Sequence, residues 1–148
     1  MTTGTCLCGA VRFKIIPPAI AINNCHCSLC RKASGSAFGS YLHIPVEQFE
    51  WLYGADNINN FIPDGCDPRP FCKTCGSRVP IEDDDEMIIP AGLLDGDPEL
   101  KVAVNIFTAS KADWYEIEDS LPTFKKGAGP AFWEPLYEAY EKKKQVES

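Results

Sequence analysis

The chain lacks a basic stripe and any long apolar run. It carries 14 Lys+Arg against 21 Asp+Glu, a formal net charge of -7. Zinc–cysteine modules that hold nucleic acid present a Lys/Arg excess on one face, and this balance argues against that class. The longest basic run, Lys142-Lys143-Lys144, is offset by Glu138, Glu141 and Glu147 and reads as a solvated helix end. The longest apolar candidate, Ile15 to Ile22, is short and broken by Pro17 and Pro18, so no segment is expected to cross a bilayer. The first residues, Met-Thr-Thr-Gly-Thr-Cys, lack the basic and apolar segments of a signal peptide. A reducing cytoplasm is the expected address. Thiols there serve as metal ligands rather than as disulfides. Internal repeats, linkers and low-complexity segments are missing too, and 148 residues are most simply one domain with its own core.

Helix signals are also scarce. Short strands are expected at Val11–Ile15, Ile20–Asn24, Ala37–Ile44, Phe49–Tyr53, Ile58–Ile62, Arg78–Ile81, Met87–Pro90 and Leu100–Phe107, separated by Pro, Gly, Asn and Asp. That pattern favours a mainly β class. One or two helical turns are expected from Ser28, as N-cap, to Ala33, ended by Gly35. A longer helix is expected from Ala131 to Gln145, where Phe132, Trp133, Tyr137 and Tyr140 recur at near-helical spacing. Pro135 requires it to start late or kink. The acidic run Glu82 to Glu86 lies between two strand candidates and reads as a solvated hairpin tip. It lacks the Gly-spaced ligand pattern of a calcium loop.

Against these absences stands cysteine. Seven of the eight cysteines fall in three tight clusters: Cys6-Leu7-Cys8, Cys25-His26-Cys27-Ser28-Leu29-Cys30 and Cys72-Lys73-Thr74-Cys75. Thiolates one or two residues apart are spaced to grip one metal ion, and zinc suits them best. In extended chain Cys6 and Cys8 point to one face. Gly9 relieves crowding where the backbone bends around them. Cys72 and Cys75 make a zinc knuckle, and Gly76 sits where the turn calls for positive φ. One CxC and one CxxC close a four-thiolate site of structural character.

The middle cluster offers three thiolates, Cys25, Cys27 and Cys30, and leaves a fourth position for water or substrate. A thiol bound there loses its proton, so the site suits thiol activation or exchange. His26 between two metal-facing cysteines points away. Arg31 and Lys32 follow at once; they either offset the negative charge of the thiolates or form an exposed basic turn. Cys66 is either a free thiol or a fourth ligand that closes the second site. His43 and the aromatic residues Phe38, Tyr41, Trp51, Trp114 and Trp133 read as core or surface first and as pocket lining second.

Together, Gly4 to Phe13, Cys25 to Lys32 and Phe71 to Ser77 resemble the three signature blocks of the glutathione-dependent formaldehyde-activating enzyme family, which includes the domain of centromere protein V. The likeness extends to Ala91–Asp95 and Ala112–Pro122. The resemblance implies one zinc-binding domain over residues 1–148, a β-tent of packed antiparallel sheets with a helical extension at about 130–145. It implies two zinc ions per chain: a structural one on Cys6, Cys8, Cys72 and Cys75, and a catalytic one on Cys25, Cys27 and Cys30. It further implies a carbon–sulfur lyase-type enzyme acting on a thiol adduct, with glutathione as the thiol, of the S-hydroxymethylglutathione synthase kind. Cys66 lies outside the signature. The competing reading is a non-catalytic zinc scaffold that binds a protein partner.

Overall fold

A computed structural model of the chain describes residues 1–147. Ten strands and two α-helices occur among the described residues, in the order β1 (Thr2–Thr5), β2 (Arg12–Ile15), β3 (Ala21–Cys25), α1 (Ser28–Ser34), β4 (Gly39–Pro45), β5 (Phe49–Tyr53), β6 (Ile58–Phe61), β7 (Arg69–Cys72), β8 (Ile81–Asp83), β9 (Glu86–Pro90), β10 (Val102–Ile106) and α2 (Pro130–Glu147). The strands form three sheets: β1-β2-β5, β10-β3-β4-β9-β8 and the ribbon β6-β7. The mainly β class and the packed sheets of the β-tent are therefore present. One pairing departs from a purely antiparallel scheme, because β10 runs parallel to β3.

Alternation explains the packing of the first two sheets. In β2, Phe13 and Ile15 are buried while Arg12 and Lys14 face outward, and Lys14 pairs with Glu50 at 2.7 Å. Phe13 stacks on Phe49 (centroids 5.4 Å apart) and meets the edge of Trp51. From the second sheet, Ile22, Leu42, Ile44, Met87 and Ile89 close the same core. All five residues of β3 are buried, since it lies between β10 and β4. Residues Ala91–Asp95 tie the layers together: Asp95 accepts hydrogen bonds from the hydroxyls of Thr3 (2.8 Å) and Thr5 (3.4 Å).

α2 begins at Pro130 and carries Pro135 inside it, so the helix starts before that proline rather than after it. Proline at the first helical position lacks only an N–H that has no intrahelical partner. Tyr140 is the one residue of α2 that is buried, against Ile20 and Ala21, with Trp133 and Leu136 alongside. Its hydroxyl donates to Gln48 Oε1, and Gln48 Nε2 in turn donates to the carbonyls of Ile16 (2.5 Å) and Pro18 (2.9 Å). Tyr137 donates to Glu86. Tyr140→Ala removes a buried ring and the anchor of Gln48 at once. It is expected to lower stability by about 3 kcal/mol, read from urea unfolding, with the zinc content unchanged. No helix among the described residues is long and apolar enough to cross a membrane.

Candidate metal centres and the adjoining cleft

Four sulfurs meet where the first sheet touches the small ribbon. Cys6 and Cys8 leave β1, and Cys72 ends β7 with Cys75 just beyond it. All four Sγ atoms lie within 4.8 Å of one another. Cys6 and Cys8 are 3.6 Å apart, and Cys8 and Cys72 3.9 Å. A tetrahedron with zinc–sulfur bonds of 2.3 Å has edges of about 3.8 Å, so the spacing and the soft donor set fit zinc. The turn is that of a knuckle: Gly76 N–H donates to the Cys72 carbonyl at 2.9 Å, and Gly76 has φ 77 as expected. Donors converge on the sulfurs. Val11 N–H reaches Cys6 Sγ at 3.3 Å and Asn57 Nδ2 reaches Cys72 Sγ at 3.5 Å. The Ser77 hydroxyl, and then the Ser77 backbone, pull the Cys75 thiol down to about 5, and the Cys75 amide is the first cause lowering Cys72. Leu7 N–H donates to the same Ser77 hydroxyl at 3.0 Å, which ties the two halves of the site together without metal.

Three more sulfurs gather at the end of β3. Cys25 closes the strand, Cys27 precedes α1 and Cys30 lies in its first turn; their Sγ atoms also fall within 4.8 Å of one another. The N-cap is Cys27, not Ser28: its sulfur accepts the Cys30 N–H at 3.3 Å. A sulfur acceptor at this place satisfies an orphan amide of the first turn. Gly35 ends α1 in the left-handed conformation, as expected. Cys30 holds the negative charge of the group. Hydrogen bonding from the Cys25 thiol comes first, then from Tyr41 and Arg69, and together they overcome burial and pull Cys30 down to about 4. Cys25, donating to it, is pushed up. Tyr41 Oη donates to Cys30 Sγ at 3.4 Å, and Arg69 Nη1 at 3.5 Å.

Gly39 makes room for that tyrosine. It sits opposite Cys25 in the β3–β4 register. A Cβ there would lie 2.5 Å from the Tyr41 hydroxyl and 2.8 Å from its ring, so any other residue displaces Tyr41 from Cys30.

His26 does point away from the sulfurs. It is fully buried, its Nε2 bonded to Asn105 Oδ1 at 2.9 Å, while Asn105 Nδ2 donates to the Asp119 carboxylate at 3.1 and 3.3 Å. The rings of Phe38 and Tyr115 flank it at 5.0 and 6.1 Å. The segment 112–122 is thus held against the back of the three-cysteine group. Cys66 is exposed and belongs to neither sulfur group. His43 bonds Asn23 and Glu86 and faces Trp133, four residues along β4 from Gly39 and so about 13 Å from the cysteine end of the sheet. Trp51 is partly buried and packs against the core, and Trp114 is exposed. Arg31 donates to the Ser110 carbonyl at 3.1 Å. The cation that meets the thiolates is instead Arg69.

A cleft opens between α1 and the segment 69–78. One lobe, of about 400 Å³, is lined by Leu29, Lys32, Phe61, Arg69, Phe71 and Arg78 among others. The second, of about 490 Å³, takes in Phe38, Tyr41, Ser77 and Arg78. Both volumes suit a small ligand.

A mainly β protein with a four-sulfur and a three-sulfur group beside an open cleft has the donors to hold two metal ions. Comparison with known proteins makes that description specific. The family model described as "Glutathione-dependent formaldehyde-activating enzyme" matches residues 1–110, and the chain belongs to that family. A Halomonas elongata protein named "Putative glutathione-dependent formaldehyde-activating enzyme" is 33% identical over 128 residues, covering 78% of this chain and 80% of its own. The crystal structure of a Rhodobacter sphaeroides protein shares the fold, with a TM-score of 0.52 at 23% identity over 64% of this chain and 89% of that one.

Proposed function

We propose that this chain is a zinc-dependent carbon–sulfur lyase-type enzyme acting on a thiol adduct, with glutathione as the thiol and formaldehyde as the aldehyde. Cys25, Cys27 and Cys30 hold the catalytic ion, and Cys6, Cys8, Cys72 and Cys75 the structural one. The observation that carries the reading is the unequal sulfur count, three against four, with the three-sulfur group beside the cleft. Zinc bound there supplies a Lewis-acidic position that favours the thiolate form of a substrate sulfur.

In the synthetic direction a bond forms between the thiol sulfur and the aldehyde carbon, and the proton given up by the thiol ends on the carbonyl oxygen. The reverse breaks the carbon–sulfur bond and returns the proton to sulfur. Arg69 sets a positive charge against a ligand set that carries one negative charge in excess of the ion. Tyr41 fixes the Cys30 sulfur through its hydroxyl. Leu29, Phe61 and Phe71 give the cleft apolar walls, which exclude water and strengthen the polar contacts inside. The reading places the enzyme in the cytoplasm and treats residues 1–148 as one domain with α2 as its extension.

The test is exchange between free and glutathione-bound formaldehyde, followed by carbon NMR with labelled formaldehyde. Protein carrying two zinc ions per chain is expected to speed the exchange well above the buffer rate. Equal rates with and without protein reject the activity.

A further inference from the structure

In a chain of net charge -7, the charged residues lining the cleft are Lys32 and Arg69 in the first lobe and Arg78 in both; no carboxylate lines either lobe. Neither arginine pairs with a carboxylate among the described residues. Arg69 Nε, Arg78 Nε and Arg78 Nη1 are buried and without a hydrogen-bond partner. Buried cationic N–H groups without an acceptor are costly, and this chain leaves three such atoms together beside one cleft. Arg78 lines both lobes. Arg69 reaches Cys30 Sγ at 3.5 Å, so the guanidinium lies next to where a substrate sulfur would enter.

We propose that Arg69 and Arg78 form an anion subsite that receives a carboxylate of the thiol substrate while its sulfur lies at the three-cysteine group. The inference rests on the thiol reading above and adds what selects the thiol. A planar guanidinium matches a carboxylate in a two-bond fork, and the apolar walls make that bond stronger than it would be in water. Of the two carboxylates of glutathione, the glutamyl one carries its own ammonium neighbour. The glycyl one is an unpaired anion, and it is the one assigned to the arginines. Arg78 is the residue to test, because Arg69 touches Cys30 and its loss would disturb the sulfur group directly.

The experiment titrates zinc-loaded protein calorimetrically with glutathione and with its C-terminal amide, which keeps size and thiol but loses the glycyl charge. Wild type is expected to bind the acid about 10-fold more tightly than the amide, the effect of one charge-assisted hydrogen-bonded contact. Arg78→Met, which keeps Arg69, is expected to cut that ratio to about threefold or less and leave amide binding within about twofold. Arg78→Lys is expected to restore part of it. Equal binding of acid and amide by wild type overturns the subsite, and so does an equal loss of both ligands in Arg78→Met. The wild-type ratio decides the matter even if the variant does not fold. Failure of wild type to bind either ligand overturns the subsite and the thiol reading together. Binding with the expected ratio but without formaldehyde exchange leaves the subsite standing and rejects only the activity.

Discussion

Cys72→Ser is expected to drop the zinc content from two ions per chain to one and to lower the melting temperature by about 15 °C. The reason is topological. Cys72 is completely buried and its sulfur lies 3.9 Å from Cys8, 64 residues earlier in the chain. Without the ion, the β6–β7 ribbon holds to the first sheet through a small cluster of Cys6, Val11, Cys72 and Val79 and the Leu7–Ser77 bond. A two-stranded ribbon is at best marginally stable by itself. Structural zinc contributes about 10–16 kcal/mol in small zinc peptides that have no core of their own; in a domain that keeps a separate core, losing the ion is expected to cost about 5 kcal/mol, a part of that. At about 3 °C per kcal/mol for a chain of this size, that is the stated shift. Serine also leaves a hydroxyl where a thiolate accepted from Asn57. Amide exchange localises the effect: residues 58–72 should lose protection first, and β3 and β4 last. A variant that keeps two zinc ions and melts within about 3 °C of wild type would show that the four sulfurs hold no structural ion.

The sulfur groups were legible in the sequence because metal ligation by CxC and CxxC is local. The spacing brings the thiols of each motif together, while the meeting of Cys6 and Cys8 with Cys72 and Cys75 spans 64 residues and is made by the fold. The strands were legible where alternation is strong, as at Phe49–Tyr53, whose bounds coincide with β5. Three strands were not. β8 runs Ile81–Asp83, so it shares only Ile81 with the strand expected at Arg78–Ile81 and takes in part of the acidic run expected as a hairpin tip. β1 reads Thr-Thr-Gly-Thr and has no apolar residue to reveal its face. β7 lies just after Pro68 and contains Pro70, and proline normally argues against a strand; β7 tolerates it by pairing with β6 in a two-stranded ribbon.

Missing β7 also hid the most informative charges. Arg69 and Arg78 look ordinary in sequence, and their meaning arises when the ribbon lays them beside α1. Arg31 and Lys32 were the visible basic neighbours of the thiolates. The helix turns Arg31 toward Ser110 and leaves Lys32 on the cleft wall. The parallel pairing of β10 with β3 is a long-range choice that no local pattern encodes. Tyr41 was visible as an aromatic in a strand, yet its contact with Cys30 depends on the missing side chain at Gly39, two residues away on the same face.

Cys27→Ser separates chemistry from folding, because Cys27 does two jobs. Its sulfur belongs to the three-cysteine group, and it caps α1 by accepting the Cys30 N–H. Serine is a strong N-cap, so the variant keeps the helix start and loses the thiolate. The expected result is one zinc ion per chain in place of two, a melting temperature within about 5 °C of wild type, and formaldehyde exchange reduced by about 100-fold or more. The bound comes from the weaker case: removing a partner that merely supports a metal ligand costs about 10–100-fold, and removing a ligand from a set of three should cost no less. Cys27→Ala takes away the cap as well, which adds about 1 kcal/mol of destabilisation, or about 3 °C. The pair of variants therefore reads the two jobs apart: zinc and turnover should fall alike in both, while melting should fall further in alanine. Unchanged zinc content and unchanged exchange in Cys27→Ser would mean that the three sulfurs do not form the reactive site. Equal melting of the serine and alanine variants would mean that the cap contributes nothing, and that the geometry at the start of α1 is held by Cys25 and Cys30 alone.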